Sequence, residues 1–107
     1  MVRDPLFGPL IAFGLGDLQF RLAPLTEWDA SDMVRAIKGY QLLQGYRGHP
    51  AVDLKAIKEV LLRISHLAEA IPEISDLDLN PIFALPSGQG CRIVDARIRV
   101  KYPRPMA

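Results

Sequence analysis

Apolar and polar residues alternate along two stretches near the C-terminal end of the chain, residues 76–85 and 91–100. A period of two residues is typical of half-buried β-strands, so each stretch predicts a strand. The segment Pro86-Ser87-Gly88-Gln89 lies between them, with Ser-Gly at its centre, and predicts a tight turn. Together they predict a β-hairpin with one buried face, since a shift of one residue would expose the apolar side chains to solvent.

The polar face of this hairpin carries a candidate metal site. If Ser87 and Gly88 form the turn, the predicted pairs are Leu79 with Ala96, Leu77 with Ile98, Asp78 with Arg97, and Asn80 with Asp95. Directly opposed side chains have Cβ atoms about 4.5–5.5 Å apart, so the oxygens of Asn80 and Asp95 can share one hard cation. Two alternatives stay open. The pair is simply solvated or hydrogen-bonded, or a bulge at Pro81 shifts one side of the pairing by one residue.

Two shorter strands are predicted nearer the N terminus. Residues 10–13 form an apolar run, and residues 18–22 alternate, with Arg21 on the face opposite Phe20 and Leu22. Arg21 either faces solvent or contacts a phosphate.

Gly14-Leu15-Gly16 lies between these two strands. Glycines here predict a tight turn, and they also allow backbone N–H groups to approach a phosphate closely. The tight turn alone is the simpler interpretation.

A first helix is predicted over residues 27–37. Thr26 and Asp29 have the spacing of a capping box at its start. Trp28 is expected to anchor the helix against the core, and Gly39 to end it in the left-handed conformation.

A longer helix is predicted over residues 53–71, with Asp53 as its cap and Pro72 as its end. Its apolar residues recur at steps of three and four: Leu54, Ile57, Leu61, Ile64, Ala68 and Ile71. A large aliphatic side chain contributes about 1.5–3 kcal/mol when fully buried, so this helix should pack flat on the sheet. His66 lies off the apolar stripe and His49 beside a proline, so both are expected at the surface.

The order of elements is strand, strand, helix, short turn, long helix, strand, strand. It predicts an α+β fold, with an antiparallel sheet of about four strands and two main helices on one face. We expect one domain over residues 1–100, a lead-in loop over residues 1–9, and a tail or linker over residues 101–107.

Composition narrows the functional classes. The chain has 107 residues and a net charge of +1, without a run of like charge, so nothing favours nucleic acid or a membrane surface as a partner. We expect neither a signal peptide nor a membrane-spanning segment. The single cysteine, Cys91, excludes an intramolecular disulfide and fits a cytoplasmic protein, and its place in a strand favours packing over a nucleophilic role.

Six motifs occur in an order that resembles a known family. They are Asp4-Pro5-Leu6-Phe7-Gly8-Pro9, Phe13-Gly14-Leu15-Gly16, Phe20-Arg21-Leu22-Ala23-Pro24-Leu25, Ile37-Lys38-Gly39-Tyr40 with Gly45-Tyr46-Arg47-Gly48, Asp78-Leu79-Asn80-Pro81 and Val94-Asp95-Ala96-Arg97. Together they resemble the C-terminal half of the ATP-grasp domain of ADP-forming acyl-CoA synthetases, relatives of the succinyl-CoA synthetase β chain. The same module is similar to the synthetase-like portion of bacterial protein lysine acetyltransferases.

The resemblance implies a site for Mg²⁺ with ATP or ADP. It implies that Asn80 and Asp95 hold the metal and that Asp78 lies in its outer shell. The candidate nucleotide contacts are Gly14, Gly16 and Arg21. Mg²⁺ suits these ligands, because it takes one or two protein oxygens together with phosphates and waters.

The chain also departs from the family pattern. A short segment that relatives carry after the glycine turn is missing beyond Gly16, as are the first half of the ATP-grasp fold, the CoA-binding domains and the phosphate-relaying histidine. No catalytic residue is therefore predicted here. The expected partners are the remaining ATP-grasp half and the CoA-binding domains, or a second copy that pairs with an exposed sheet edge near Gly16.

Two functions follow from the resemblance. The first is a partial ATP-grasp module of an acid–CoA ligase, inactive alone. The second is a degenerate, non-catalytic module for regulation or protein interaction, for example from a protein lysine acetyltransferase.

Overall fold

The structure, a computed structural model, describes residues 1–101. Its strands are β1 (Val2–Asp4), β2 (Gly8–Leu15), β3 (Asp17–Leu22), β4 (Ile74–Leu79), β5 (Ile82–Ala84), β6 (Cys91–Ile93) and β7 (Ala96–Val100). Its helices are α1 (Glu27–Ala36), α2 (Tyr40–Leu43) and α3 (Leu54–Ala70). An antiparallel sheet has the order β3-β2-β1-β4-β7, and β5 and β6 form a separate two-stranded ribbon. The predicted α+β fold is confirmed.

The sheet has five strands because β1 forms where a lead-in loop was predicted. The carboxylate of Asp4 accepts hydrogen bonds from the N–H groups of Leu6 (2.8 Å) and Phe7 (2.9 Å), which closes the turn into β2. β1 is only three residues long and carries two charged residues, so it lacks the alternation that indicates a strand. Its pairing with both neighbours makes it a strand.

Helix α1 begins with the predicted capping box. Thr26 and Asp29 exchange side-chain and backbone hydrogen bonds, and these lower the pKa of the Asp29 carboxyl. Two expectations were wrong. Trp28 does not anchor the helix against the core, since it is 71% exposed. Gly39 is not in the left-handed conformation but has a φ of −80°, because α1 already ends at Ile37, whose backbone is extended.

Helix α3 packs with α1 against one face of the sheet. Its start at Asp53 and its end at Ile71 are as predicted. The central core residues are Ile11, Leu25, Ala30, Met33, Val34, Ile37, Leu43, Ile57 and Leu61. One polar group is buried among them: the Ser65 hydroxyl accepts the N–H of Leu25 at 2.8 Å.

The other sheet face, which we call the open face, carries Val2, Leu18, Phe20 and Leu22, each about half exposed. On β3 the polar residues thus turn toward the helices and the apolar ones away. In an ordinary half-buried strand the apolar side chains face the core. The pairing with β2 determines the orientation of β3, because Arg21 lies opposite the buried Ile11.

The predicted tail over residues 101–107 lies outside the described residues except for Lys101, whose N–H donates to Glu73 O at 2.8 Å. Among residues 1–101, no helix is long and apolar enough to cross a membrane.

Candidate functional site

The predicted hairpin register is confirmed, but the predicted buried face is wrong for its second strand, because β7 is exposed along its whole length and Ile98 is 53% exposed. Leu77 pairs with Ile98, Asp78 with Arg97 and Leu79 with Ala96, and beyond the proline Ile82 pairs with Ile93. The register is the same on both sides of Pro81, so the proline introduces no shift. At the turn, Gln89 N–H donates to Pro86 O at 2.9 Å, and Gly88 has a φ of +83°. Ser87 and Gly88 are therefore the two central residues of the turn, as predicted.

Asn80 lies across from Asp95, between the β4–β7 pair and the β5–β6 ribbon. The N–H of Asn80 donates to the carbonyl oxygen of Asp95 at 3.1 Å, and both residues are exposed. The hydrogen bond brings the two backbones together at a place where an amide oxygen and a carboxylate oxygen, ligand types that Mg²⁺ accepts, are available.

Asp78 lies in β4, two residues before Asn80. It is exposed and stands opposite Arg97, while Asp76 is 3.7 Å from Arg99 in an exposed ion pair. This end of the sheet therefore has a polar surface with mixed charge. It can support an outer-shell role for Asp78.

A cleft of about 370 Å³ opens between β2, β4 and α3. Four of the sequence-predicted site residues line it: Gly14, Gly16, Asp78 and Asn80. Most of its remaining lining is apolar and includes Phe13, Leu43, Val60, Leu61, Ile64 and Leu79. The structure therefore brings the glycine turn and the Asp78–Asn80 stretch to one opening, with Asp95 beside Asn80.

The amino terminus also lies at this cleft. The α-ammonium group of Met1 donates to Leu77 O at 2.7 Å. Burial lowers the pKa of this group, and the carboxylates of Asp78 and Asp76 oppose the shift. The carboxylates of Asp76 and Asp78 therefore lie near the ammonium group of Met1.

The conformation of the Gly14–Gly16 turn requires glycine at both positions. Gly16 has a φ of +94°, and a Cβ on Gly14 would overlap the backbone carbonyl oxygen of Asp17. Leu15 pairs with Asp17, so the chain reverses within a single residue. The predicted tight turn is confirmed.

Arg21 is not brought to the cleft. Its guanidinium lies 2.7 Å from the carboxylate of Asp32 on α1, and it also donates to Phe20 O at 2.8 Å. It is on the helix-facing side of the sheet, whereas Asp78 is on the open face.

Sequence reasoning missed the apolar wall of the cleft. Val60 and Ile64 on α3 were assigned to a helix that packs flat on the sheet, but both line the cleft. Side chains that line a cleft and side chains that pack on a sheet give the same apolar stripe, so the sequence carries no signal that separates them.

The comparisons with known proteins agree with the fold. Residues 1–100 match the ATP-grasp domain family. The chain belongs to this family.

Its relatives are ADP-forming acetate–CoA ligases, as the motifs predicted. The chain is 45% identical over 92 residues to the β subunit of acetate–CoA ligase [ADP-forming] I of Pyrococcus furiosus, covering 78% of this chain and 40% of that protein. It is 43% identical over 106 residues to acetate–CoA ligase [ADP-forming] I of Archaeoglobus fulgidus, covering 92% of this chain and 15% of that protein.

A solved structure has about the same sequence identity to this chain as these two ligases. It is the dinucleotide-forming acetyl-coenzyme A synthetase 1 of Ca. Korarchaeum cryptofilum in complex with coenzyme A and Mg-AMPPCP. The TM-score is 0.88 at 44% identity, over 94% of this chain and 50% of that chain. The chain thus spans half or less of the length of these similar proteins, within their ATP-grasp domain.

Proposed function

We propose that this chain supplies the Mg²⁺–nucleotide side of the site of an ADP-forming acyl-CoA synthetase, with Asn80 and Asp95 as the protein ligands of the metal. The observation that carries the proposal is the direct pairing of Asn80 with Asp95 beside the glycine turn. The similar synthetase of Ca. Korarchaeum cryptofilum is described in complex with Mg-AMPPCP, which supports the nucleotide class. In such ligases the overall reaction converts acyl-CoA, ADP and phosphate to acid, ATP and CoA.

The residues fit a Mg²⁺ ion bound through few protein oxygens. Asn80 offers a neutral amide oxygen and Asp95 a carboxylate, and a backbone hydrogen bond of 3.1 Å holds the two residues next to each other. When bound, the metal neutralises charge on the nucleotide phosphates. Asp78 would lie outside the ligand pair, and the backbone N–H groups of the Gly14–Gly16 turn, which lines the same cleft, would contact the phosphates.

This chain alone is proposed to be inactive. Residues 1–100 form the ATP-grasp module and residues 101–107 a tail or linker. The remaining ATP-grasp half and the CoA-binding domains, in the cytoplasm, complete the active enzyme. The edge position of β3 also offers a place for a second copy.

A second candidate is a non-catalytic module for regulation or protein interaction, of the kind fused to lysine acetyltransferases. One observation favours it: Arg21, a candidate phosphate contact, is already engaged by Asp32 on the other side of the sheet. A module without this contact would keep the fold but bind nucleotide poorly.

Titration of the 107-residue chain with Mg²⁺–ADP, followed by NMR, separates the two candidates. We expect backbone shifts at Asn80, Asp95 and the Gly14–Gly16 turn, and none with ADP in the presence of EDTA. The substitution Asp95→Ala should abolish the shifts. Glu69→Ala, which removes an exposed carboxylate from α3, should leave them unchanged. If millimolar Mg²⁺–ADP produces no shift at the site, the metal–nucleotide proposal is wrong and the non-catalytic module is favoured.

A further inference from the structure

The two edge strands of the sheet, β3 and β7, differ in how their charges are held. β7 has two exposed arginines, and Arg99 stays 76% exposed in its ion pair with Asp76. Exposed charges of this kind protect an edge strand against pairing with another chain. On β3, Arg21 is bound to Asp32 at 2.7 Å, and the Asp17 carboxylate accepts a backbone N–H from the segment between α1 and α2 at 3.3 Å. The edge at β3 is therefore the less protected one.

The exposed side of β3 is apolar. Leu18, Phe20 and Leu22 are each about half exposed on the open face, and the charged residues of β3 lie on the other face. β2 precedes this strand in sequence and α1 follows it, so neither end of the chain adjoins this edge in sequence.

The backbone groups of the same three residues point away from β2. Ala23 N–H donates to Pro9 O at 2.9 Å, so the backbone groups of Ala23 face β2. This direction alternates along a strand, so those of Leu22, Phe20 and Leu18 face the edge. Phe20 O also accepts the guanidinium of its neighbour at 2.8 Å, and its second lone pair can accept a strand N–H. Among residues 1–101, no strand pairs with β3 on that side.

A stripe of α1 lies beside the same edge. Asp32, which contacts Arg21 of β3, has Trp28 one turn before it and Arg35 one turn after it. These three α1 side chains line a hollow of about 330 Å³ on the outside of the helix. Trp28 is 71% exposed, so a large aromatic side chain stands uncovered next to the free edge.

We propose that β3 pairs with β3 of a second copy of this chain, antiparallel and about a two-fold axis at Phe20, so that the two sheets become one. Within β3, only this register gives every exposed apolar residue an apolar partner. Phe20 faces Phe20 of the second copy, and Leu18 faces Leu22. Residues whose backbone groups point to the edge then lie opposite each other, as antiparallel hydrogen bonding requires.

Charge supports a second copy as the occupant. The register sets Gln19 opposite Arg21, so no like charges meet on the helix side. The two-fold axis makes the two α1 helices antiparallel, which brings Arg35 of one chain toward the acidic Asp32 of the other. Pairing of β7 with itself about Ile98 would instead oppose its arginines. The proposal rests on the second copy named among the proposed partners, and it requires neither metal nor nucleotide.

Sedimentation of the 107-residue chain, without metal or nucleotide, tests the pairing. We expect the fraction of dimer to rise with protein concentration from the micromolar to the millimolar range. Phe20→Lys places a charge at the centre of the contact and should leave the chain monomeric. Phe83→Lys, the same change at a phenylalanine that is 57% exposed, should leave the dimer intact. Both side chains are at least half exposed, so both variants should fold.

Amide hydrogen exchange locates the contact. Exchange at Leu18, Phe20 and Leu22 should slow by about tenfold or more where the dimer forms, while exchange at Ile98 on the other edge should not change. The proposal is overturned by a monomer at every concentration, by a dimer that Phe20→Lys leaves intact, or by protection at Ile98 instead of β3. A monomer that still gives the Mg²⁺–ADP shifts refutes the pairing alone, and a dimer without those shifts refutes the nucleotide proposal alone.

Discussion

The carboxylate of Asp53 accepts a hydrogen bond from the N–H of Gly90 at 2.8 Å, across 37 positions of sequence. Its other oxygen accepts the N–H of Ala56 at 3.0 Å and so caps α3. Asp53 N–H also donates to Leu85 O at 2.8 Å. One residue thus joins the start of the long helix to the tip of the hairpin that carries Asn80.

This relationship predicts a pH dependence of stability. The hydrogen bonds from Ala56 and then Gly90 lower the pKa of Asp53 in the folded protein. Its stabilising contribution is therefore present above the ordinary aspartate pKa of about 3.9 and is lost as the pH falls through the lower, folded value. We expect Asp53→Ala to reduce the free energy of unfolding at pH 7, and the difference from the parent chain to shrink in acid.

Urea unfolding followed at pH 7 and at progressively lower pH measures this difference. The control is Glu69→Gln, which removes an exposed carboxylate from the same helix. A pH-independent difference between Asp53→Ala and the parent would show that the carboxylate charge is not responsible.

Ser65 is predicted to be the costliest serine to replace. It is 3% exposed, and its hydroxyl accepts the N–H of Leu25. Ser65→Ala leaves that buried N–H without its partner, which costs about 1–3 kcal/mol. Ser75→Ala should change the free energy of unfolding by less than about 0.5 kcal/mol, because its hydroxyl bond to Arg99 O is exposed. Equal effects of the two substitutions in urea unfolding would contradict the assignment.

The two glycines of the β2–β3 turn should differ in their tolerance of alanine. Gly16→Ala meets no atom but forces a left-handed backbone, which costs about 1–2 kcal/mol. Gly14→Ala places a Cβ on the carbonyl oxygen of Asp17, so the turn itself must rearrange. We expect the larger loss of stability for Gly14→Ala, with its NMR shift changes centred on residues 14–18. A Gly14→Ala chain as stable as Gly16→Ala would show that the turn adjusts freely.

Arg21 is predicted to be structural and only weakly stabilising. Its ion pair with Asp32 is about one-third exposed on both sides, and such pairs contribute about 0–1 kcal/mol. Arg21→Gln should therefore lower the free energy of unfolding by no more than about 1 kcal/mol. It should leave the Mg²⁺–ADP shifts at Asn80 and Asp95 unchanged. Loss of those shifts in Arg21→Gln would instead make Arg21 a nucleotide contact.

Much of the architecture follows from local sequence. Local signals place both main helices. The capping box of Thr26 and Asp29 begins α1, and Asp53 with the apolar stripe that follows it defines α3. Caps and periodicity act within a few residues, so the sequence alone indicates them. The Ser87-Gly88 turn sets the hairpin register through to Leu79 and Ala96, since a two-residue turn fixes which residues face each other on the two strands. The pairing of Asn80 with Asp95 was therefore predictable from sequence alone.

Three features depend on contacts between distant segments, and only the tertiary structure decides them. β1 is a strand because it lies between β2 and β4, although its three residues have no strand pattern. Arg21 faces the helices because its β2 partner, Ile11, is buried there and Asp32 neutralises its charge. The cleft forms where β2, β4 and α3, which are far apart in the sequence, come together. The periodicity of a segment determines its own conformation, whereas which of its faces is covered and which residues share a cleft depend on the segments that pack against it.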